Sequence, residues 1–451
     1  MFISKFFNPL KCRVHLAILA MLFLFVLKSC ISIPKQYNGL SPGIWRGTFI
    51  LDDRRQLIVT KGKDEEIVRD PNPESQKTVV PVNFEVIYDS EKEFHIEFLN
   101  GKERIRFDSV EHGRDIRTGN DTFVIHLTPY DALIKGIFEH NKMAGDYIVL
   151  DKSNYSIPFH ATHGQSHRFF RTSELSSTDV NGKWQTTFEK DSVDQYSGIG
   201  EFEQEENKIV GTFRTESGDY RFLAGEISGN RMCLSSFDGA HLFLFDAGIE
   251  KNKMFGTFYS GKHSKSSFEA IRNESFQLKK ADSISIAIAK GPMIFKFENP
   301  DGNQVSNLDS EYENKVKIIQ VMGSWCPNCR DESEFLKSYL KEHPNQEIEV
   351  IAIAFERNPD KEKALKRIRD YKSSLSLPYQ VLYGGQANKD SASIALPQID
   401  KIKSFPTMIF LDRANRIVKI HTGFDGPATS VYYMFKQDFE STISDLLKQK
   451  D

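Results

Sequence analysis

The sequence predicts a chain of several domains, in which antiparallel all-β modules precede one α/β domain. Three observations carry this. At 451 residues the chain is longer than one hydrophobic core normally serves. From about Tyr37 to Arg272 the pattern is short, aromatic-rich and alternating, and beyond Lys290 strands alternate with amphipathic helices. Apolar content of 39% and charged content of 27% are ordinary globular values, which argues against wholesale disorder and against a multi-span membrane protein. Lysine plus arginine (59) nearly balance aspartate plus glutamate (62), so no overall field draws the chain to nucleic acid, and any partner is chosen by a local surface.

Taken in order, the N-terminus comes first. Lys5, Lys11 and Arg13 precede an apolar run from Val14 to Leu27, interrupted by His15 and stopped by Lys28. Spanning a bilayer takes about 20 apolar residues and a signal core roughly 7 to 15, so residues 1–29 read as a cleaved export signal. Leu27-Lys28-Ser29-Cys30 resembles a bacterial lipobox, with Lys28 where a small residue is usual. Cys30 would then carry lipid and begin the mature chain; an uncleaved anchor is the alternative.

The β half follows. Phe84-Glu-Val-Ile-Tyr88, Phe94-His-Ile-Glu-Phe98 and His241-Leu-Phe-Leu-Phe245 alternate as half-buried strands do. Asn141-Lys-Met-Ala-Gly-Asp-Tyr147, Asn207-Lys-Ile-Val-Gly-Thr-Phe213 and Asn252-Lys-Met-Phe-Gly-Thr-Phe258 share a turn, an apolar position, a glycine and an aromatic. Gly43-Ile-Trp45 and Gly182-Lys-Trp184 each open a stretch ending near one of those units. Two related modules, 38–175 and 176–272, are expected, as sandwiches or small barrels. Recurrence of aromatic hairpins in any β protein is the plainer explanation of the same pattern.

A polar, lysine-containing stretch, 273–290, is expected to link these modules to the α/β domain, 291–451. There Ile294–Phe297 and Gln304–Ser306 flank an Asn299-Pro-Asp-Gly302 turn and read as a hairpin, and Val316–Met322 and Glu347–Phe355 read as buried strands. A helix is expected from Pro327 to about His343, with Pro344 beyond its end, and others at Lys361–Tyr371 and Val431–Lys448. Pro406–Asp412 and Arg416–Ile420 pair around Ala414-Asn415, giving a central mixed sheet.

Of five cysteines, Cys12 leaves with the signal and Cys30 takes lipid, so Cys233, Cys326 and Cys329 remain. No disulfide framework is possible, and one close pair in a large domain reads as a redox couple. Cys233, between Met232 and Leu234, reads as a buried filler. Trp325-Cys326-Pro327-Asn328-Cys329 lies where a buried strand turns into a helix. The helix N-terminus, with a cation such as Arg330 nearby, favours a thiolate at Cys326. Cys329, three residues on, can reach back and resolve a mixed disulfide.

On these residues the segment from about 291 to 451 resembles the TlpA/ResA branch of membrane-anchored thioredoxin-like proteins. The resemblance implies a thioredoxin-like fold, with Cys326 as nucleophile, Cys329 as resolving cysteine and no cofactor beyond their disulfide. It sets Trp325 on the flanking tryptophan and Ser404-Phe-Pro-Thr407 on the loop bearing a cis-proline, so that Phe405 and Pro406 would line the substrate groove. It makes Glu332 a proton-handling glutamate. Gln320 stands where ordinary thioredoxins have a buried aspartate. The partners implied are exported protein thiols or disulfides and a membrane electron donor, at the periplasmic face of the cell envelope.

Other readings remain. A lone C-x-x-C is half a zinc site, but zinc takes four ligands and there is no second cysteine pair. A peroxiredoxin would need a Thr-x-x-Cys motif, which Met322-Gly-Ser-Trp325 does not supply. His160, His163 and His167 cluster beside Phe169 and Phe170, yet a strand puts the first two on opposite faces, and no metal is expected. The β half could itself be the functional part, recognising a partner, carbohydrate or lipid with the redox domain as an accessory.

Overall fold

The computed structural model describes residues 39–449 apart from 52–56, 62–63, 69–77, 153, 173, 175, 177, 289–290 and 345–346. The chain divides after Gly39, and the architecture below is that of the unit beginning at Leu40. The expected export signal, Cys12 and the lipidation site Cys30 lie outside the described residues. No described helix is long and apolar enough to cross a membrane.

The first β module is a nine-stranded antiparallel meander. Its first strand, Gly43–Ile50, sits in the middle, paired with Val79–Tyr88 on one side and with the last strand, Ser156–His163, on the other. Alternation along Gly43–Ile50 turns Trp45 and Phe49 inward, where Phe49 meets Phe159 and Phe237 with ring centroids 4.9 Å apart. The sheet stays open between its edge strands, Glu103–Phe107 and Val110–Arg114, and so forms a half-barrel.

The second module closes. From Gly182–Phe188 to Ser264–Arg272 the strands run as an eight-stranded meander whose ends pair with each other, and Tyr196–Glu205 also pairs with Lys208–Thr215. Closure leaves no free edge for another chain to extend. The sequence repeats have matching geometry: the Trp45 indole donates to the Ser41 carbonyl at 2.8 Å and the Trp184 indole to the Val180 carbonyl at 2.9 Å. His140, Glu206 and Lys251, each preceding the shared asparagine, all adopt positive φ (47°, 53° and 56°).

The half-barrel completes its core with barrel side chains, since Phe237, Leu242 and Leu244 pack among Phe49, Phe84 and Phe98. The buried Arg168 side chain ties the two modules, donating to the Leu99 carbonyl at 2.8 Å and to Ser235 Oγ at 2.8 Å. Arg221 reaches further: its guanidinium pairs with Glu103 of the half-barrel at 2.5 Å and with Asp331 of the α/β domain at 3.0 Å.

The α/β domain has a seven-stranded mixed sheet in the order Gln304–Ser306, Lys296–Glu298, Gln380–Gln386, Ile348–Glu356, Val316–Met322, Thr407–Leu411, Ile417–Thr422. Val316–Met322 is buried throughout because both sheet faces are covered. Helices Pro327–Glu342 and Tyr432–Lys448 pack Phe335, Tyr339, Phe435 and Phe439 against one face. Met293, Phe295, Leu396 and Ile402 cover the other. The central strands and three long helices fall where the sequence places them; strand Gln380–Gln386 and the seven-residue helix Lys389–Ala395 do not appear in the sequence reading. After Asn273 and Glu274, which bond the barrel strand at Lys183, the stretch reaches this domain, with Asp282 bonded to His421 at 3.0 Å and Ser285 to the Lys401 carbonyl at 2.8 Å.

Candidate active site

Strand Val316–Met322 ends at Gly323-Ser324-Trp325, and the chain turns into the helix at Pro327. Proline at the first helical position suits its fixed φ and lost N–H. Cys326 is the N-cap, with extended backbone, and its Sγ accepts the Cys329 N–H at 3.3 Å. An atom at a helix N-cap faces the helix's unsatisfied amides and the positive end of its dipole.

The turn before it is fixed from the neighbouring strand. The buried Glu356 carboxylate accepts Ser324 N–H at 2.9 Å and Ser324 Oγ–H at 2.7 Å, while burial pushes its pKa upward. The Trp325 indole donates to the Phe355 carbonyl at 2.9 Å, and the Arg357 guanidinium lies 4.2 Å from the Trp325 ring. Glu356 was not singled out in the sequence; a carboxylate ending an apolar strand gives no local sign of the loop it holds.

Opposite Cys326, the Phe405–Pro406 peptide is cis, and the Cys326 thiol points at the Phe405 carbonyl with Sγ 3.6 Å away. Trp325 and Phe405 meet edge to face at 5.9 Å. Cys326, Trp325, Phe405 and Pro406 thus converge, from two segments 79 residues apart in sequence.

Cys329 lies behind, wholly buried, and burial raises its thiol well above the usual range. Gln320 donates to the Cys329 carbonyl at 3.2 Å and accepts from Ser333 Oγ at 3.1 Å. Glu332, one turn along the same helix, is also wholly buried, and neither of its oxygens has a hydrogen-bond partner. Burial pushes this carboxyl up to about 8; the Gln320 amide opposes that from nearby without well-formed bonding geometry.

Arg330 departs from expectation. Its guanidinium sits 5.9 Å from the Tyr130 ring of the half-barrel, and its charged neighbours are Arg221 and Asp331. The cation expected to face the thiolate is engaged by a module that the local sequence could not reveal. Cys233 belongs to the barrel, where its Sγ lies 3.4 Å from Asp246 Oδ1 and burial raises the thiol. His163 bonds the Pro42 carbonyl through Nε2 at 2.8 Å and packs on Trp45. Among the described residues no group of three or more His, Cys, Asp or Glu side chains is placed to hold a metal.

One neighbour of the dithiol comes from the barrel. Asn328, between the two cysteines, donates to the Asp219 carbonyl at 3.0 Å, and Ser404 Oγ donates to the Ser217 carbonyl at 3.0 Å.

Residues 289–434 match the Redoxin family. Solved structures similar to the chain include a thioredoxin-family thiol:disulfide interchange protein from Chlorobium tepidum, 20% identical, covering 36% of this chain and 99% of that one at a TM-score of 0.27. A secreted thiol-disulfide isomerase from Corynebacterium glutamicum is 20% identical over 39% of this chain and 99% of its own, at a TM-score of 0.28. A thiol-disulfide oxidoreductase from Bacteroides fragilis is 18% identical over 33% and 98%, at 0.25. No curated protein matches the chain. The Redoxin match spans the C-terminal third of the chain and takes in Cys326 and Cys329.

Proposed function

We propose that the protein reduces disulfides of exported proteins through Cys326 and Cys329. In this reading it works at the periplasmic face of the cell envelope, held by lipid on Cys30, and a membrane donor returns its electrons. The observation that carries the chemistry is the placement of Cys326 Sγ at the helix N-cap, on the Cys329 amide and facing Phe405.

The steps follow from the two environments. Cys326 attacks one sulfur of the client disulfide as the thiolate; the client's other sulfur leaves with the electron pair and takes a proton. Cys329 must then lose its proton, and Glu332 is the group proposed to accept it. Burial makes the Glu332 carboxylate a stronger base than an exposed one, which narrows the gap to a buried thiol. The Cys329 thiolate attacks Cys326 Sγ, the client leaves as a dithiol, and the Cys326–Cys329 disulfide carries the two electrons' deficit until the donor fills it. Trp325, Phe405 and Pro406 are proposed to line the client groove.

A Cys329→Ala variant tests this directly. It should accumulate mixed disulfides between Cys326 and exported proteins, released by reductant and absent from a Cys326→Ala, Cys329→Ala double variant. Recovering no such adduct from cells contradicts exchange on proteins.

A further inference from the structure

We infer that the barrel hairpin Arg214–Asp219 is a cover built over the dithiol, which must lift before a client disulfide reaches Cys326. The inference rests on the exchange reading and adds the control of access to the same site.

The hairpin projects from the barrel strand Lys208–Thr215, whose end pairs with Gly218 and Asp219. It touches three separate parts of the Redoxin domain. Asn328 Nδ2 donates to the Asp219 carbonyl at 3.0 Å and lies 3.3 Å from Asp219 Oδ1, so one of the two residues between the cysteines is held from outside its own domain. Ser404, beside the Phe405–Pro406 bond, donates to the Ser217 carbonyl at 3.0 Å. Gly423 and Phe424, after the last strand, lie against Ser217 and Gly218.

Two glycines make that approach possible. A Cβ on Gly218 would stand 2.6 Å from Asn328 Nδ2 and 3.0 Å from the Phe424 carbonyl oxygen, and one on Gly423 would stand 2.8 Å from the Ser217 carbonyl carbon. Both residues have positive φ, 126° and 82°, where side chains are strained in any case. The hairpin is also stiff, since Thr215 Oγ1 accepts the Ser217 N–H at 3.2 Å and donates to the Gly218 carbonyl at 2.9 Å.

The reacting cysteine is itself buried beside these contacts. Cys326 is 6% exposed and Cys329 not at all, yet exchange needs a sulfur of the client in line with Cys326 Sγ. The hairpin's contacts with the domain are made by backbone, hydroxyls and a glycine, not by an apolar plug. Beside the hairpin a cleft lined by Tyr196, Thr215, Ser217, Lys403, Ser404 and Thr422 gives it room to move. A cover held by hydrogen bonds next to open space can open without disturbing either core.

The test uses the full chain. Gly218→Ala and Gly423→Ala, made separately, push the hairpin off from opposite sides. Each should raise the rate of Cys326 alkylation by iodoacetamide about tenfold, and raise insulin disulfide reduction by more than reduction of a small neutral disulfide. Hydrogen exchange of the unmodified protein supplies a measurement free of folding defects: amides 217–220 should exchange by a local opening while the barrel strands stay protected. If both variants fold but alkylate and reduce at the original rate, or if those amides exchange only with the barrel core, the cover is wrong. Absence of any reversible thiol couple in the unmodified protein would instead overturn the exchange reading beneath it.

Discussion

Gln320 holds Cys329 by its backbone: the amide Nε2 donates to the Cys329 carbonyl at 3.2 Å, inside a chain in which Tyr371 bonds Ser333 at 3.0 Å and Ser333 bonds Gln320 Oε1 at 3.1 Å. All four residues are buried. A buried polar chain of this kind is worth most when complete. Gln320→Leu keeps the volume but leaves the Ser333 hydroxyl without its acceptor and the Cys329 carbonyl without this donor. It should cost about 2–3 kcal/mol in denaturant unfolding, with Cys326 still alkylated.

Glu332 couples stability to pH. Its carboxyl goes from an ordinary value near 4.5 when unfolded to about 8 when folded, so the native state holds its proton more tightly. That stabilisation is complete below about pH 4.5 and is lost as pH rises through about 8, at up to about 1.4 kcal/mol per pH unit. Glu332→Gln removes the dependence, so the variant should gain on the unmodified protein steadily from pH 5 to pH 8 in urea titrations. It should also lengthen the life of a mixed disulfide by on the order of 10–100-fold, because Cys329 loses its proton acceptor. Resolution at the unmodified rate would remove Glu332 from the mechanism and leave the stability effect standing.

Arg221 joins three modules through Glu103 and Asp331. Taking it away strands two partly buried acids around a buried gap, a loss of about 3 kcal/mol for Arg221→Ala. Burial already raises Asp331 to about 6 against the pull of Arg221, and without the guanidinium it rises further. Below that value the acid is neutral and its burial costs little. The variant's deficit should therefore be smaller near pH 5 than near pH 7.5, by the share that Asp331 carries. An equal deficit at both pH values would mean that lost packing, not stranded charge, is the cause.

The parts of the molecule that were legible in the sequence are those specified by neighbours in the chain. Val316–Met322 is an unbroken apolar run, Pro327 and Pro344 bracket the helix, and the dithiol falls between them. Strand Gln380–Gln386 was hidden because Gly384 and Gly385 break its alternation. Closure of the barrel, through pairing of Tyr196–Glu205 with both of its neighbours, leaves no mark that an open sheet would lack. The surroundings of the dithiol were illegible for the same reason: Tyr130, Arg221 and Asp219 reach it from more than a hundred residues away, so neither the turning of Arg330 nor the hold on Asn328 could be read locally.

The equilibrium reduction potential of the Cys326–Cys329 couple in the full chain, poised against thiol buffers and read by mass tagging, tests the central claim most directly. Thioredoxin-like sites span about −270 to −120 mV, and the account predicts a reductant at about −250 mV or below. A value near −120 mV would make the protein an oxidant and contradict the proposed direction, and no reversible two-electron couple would contradict the enzyme itself.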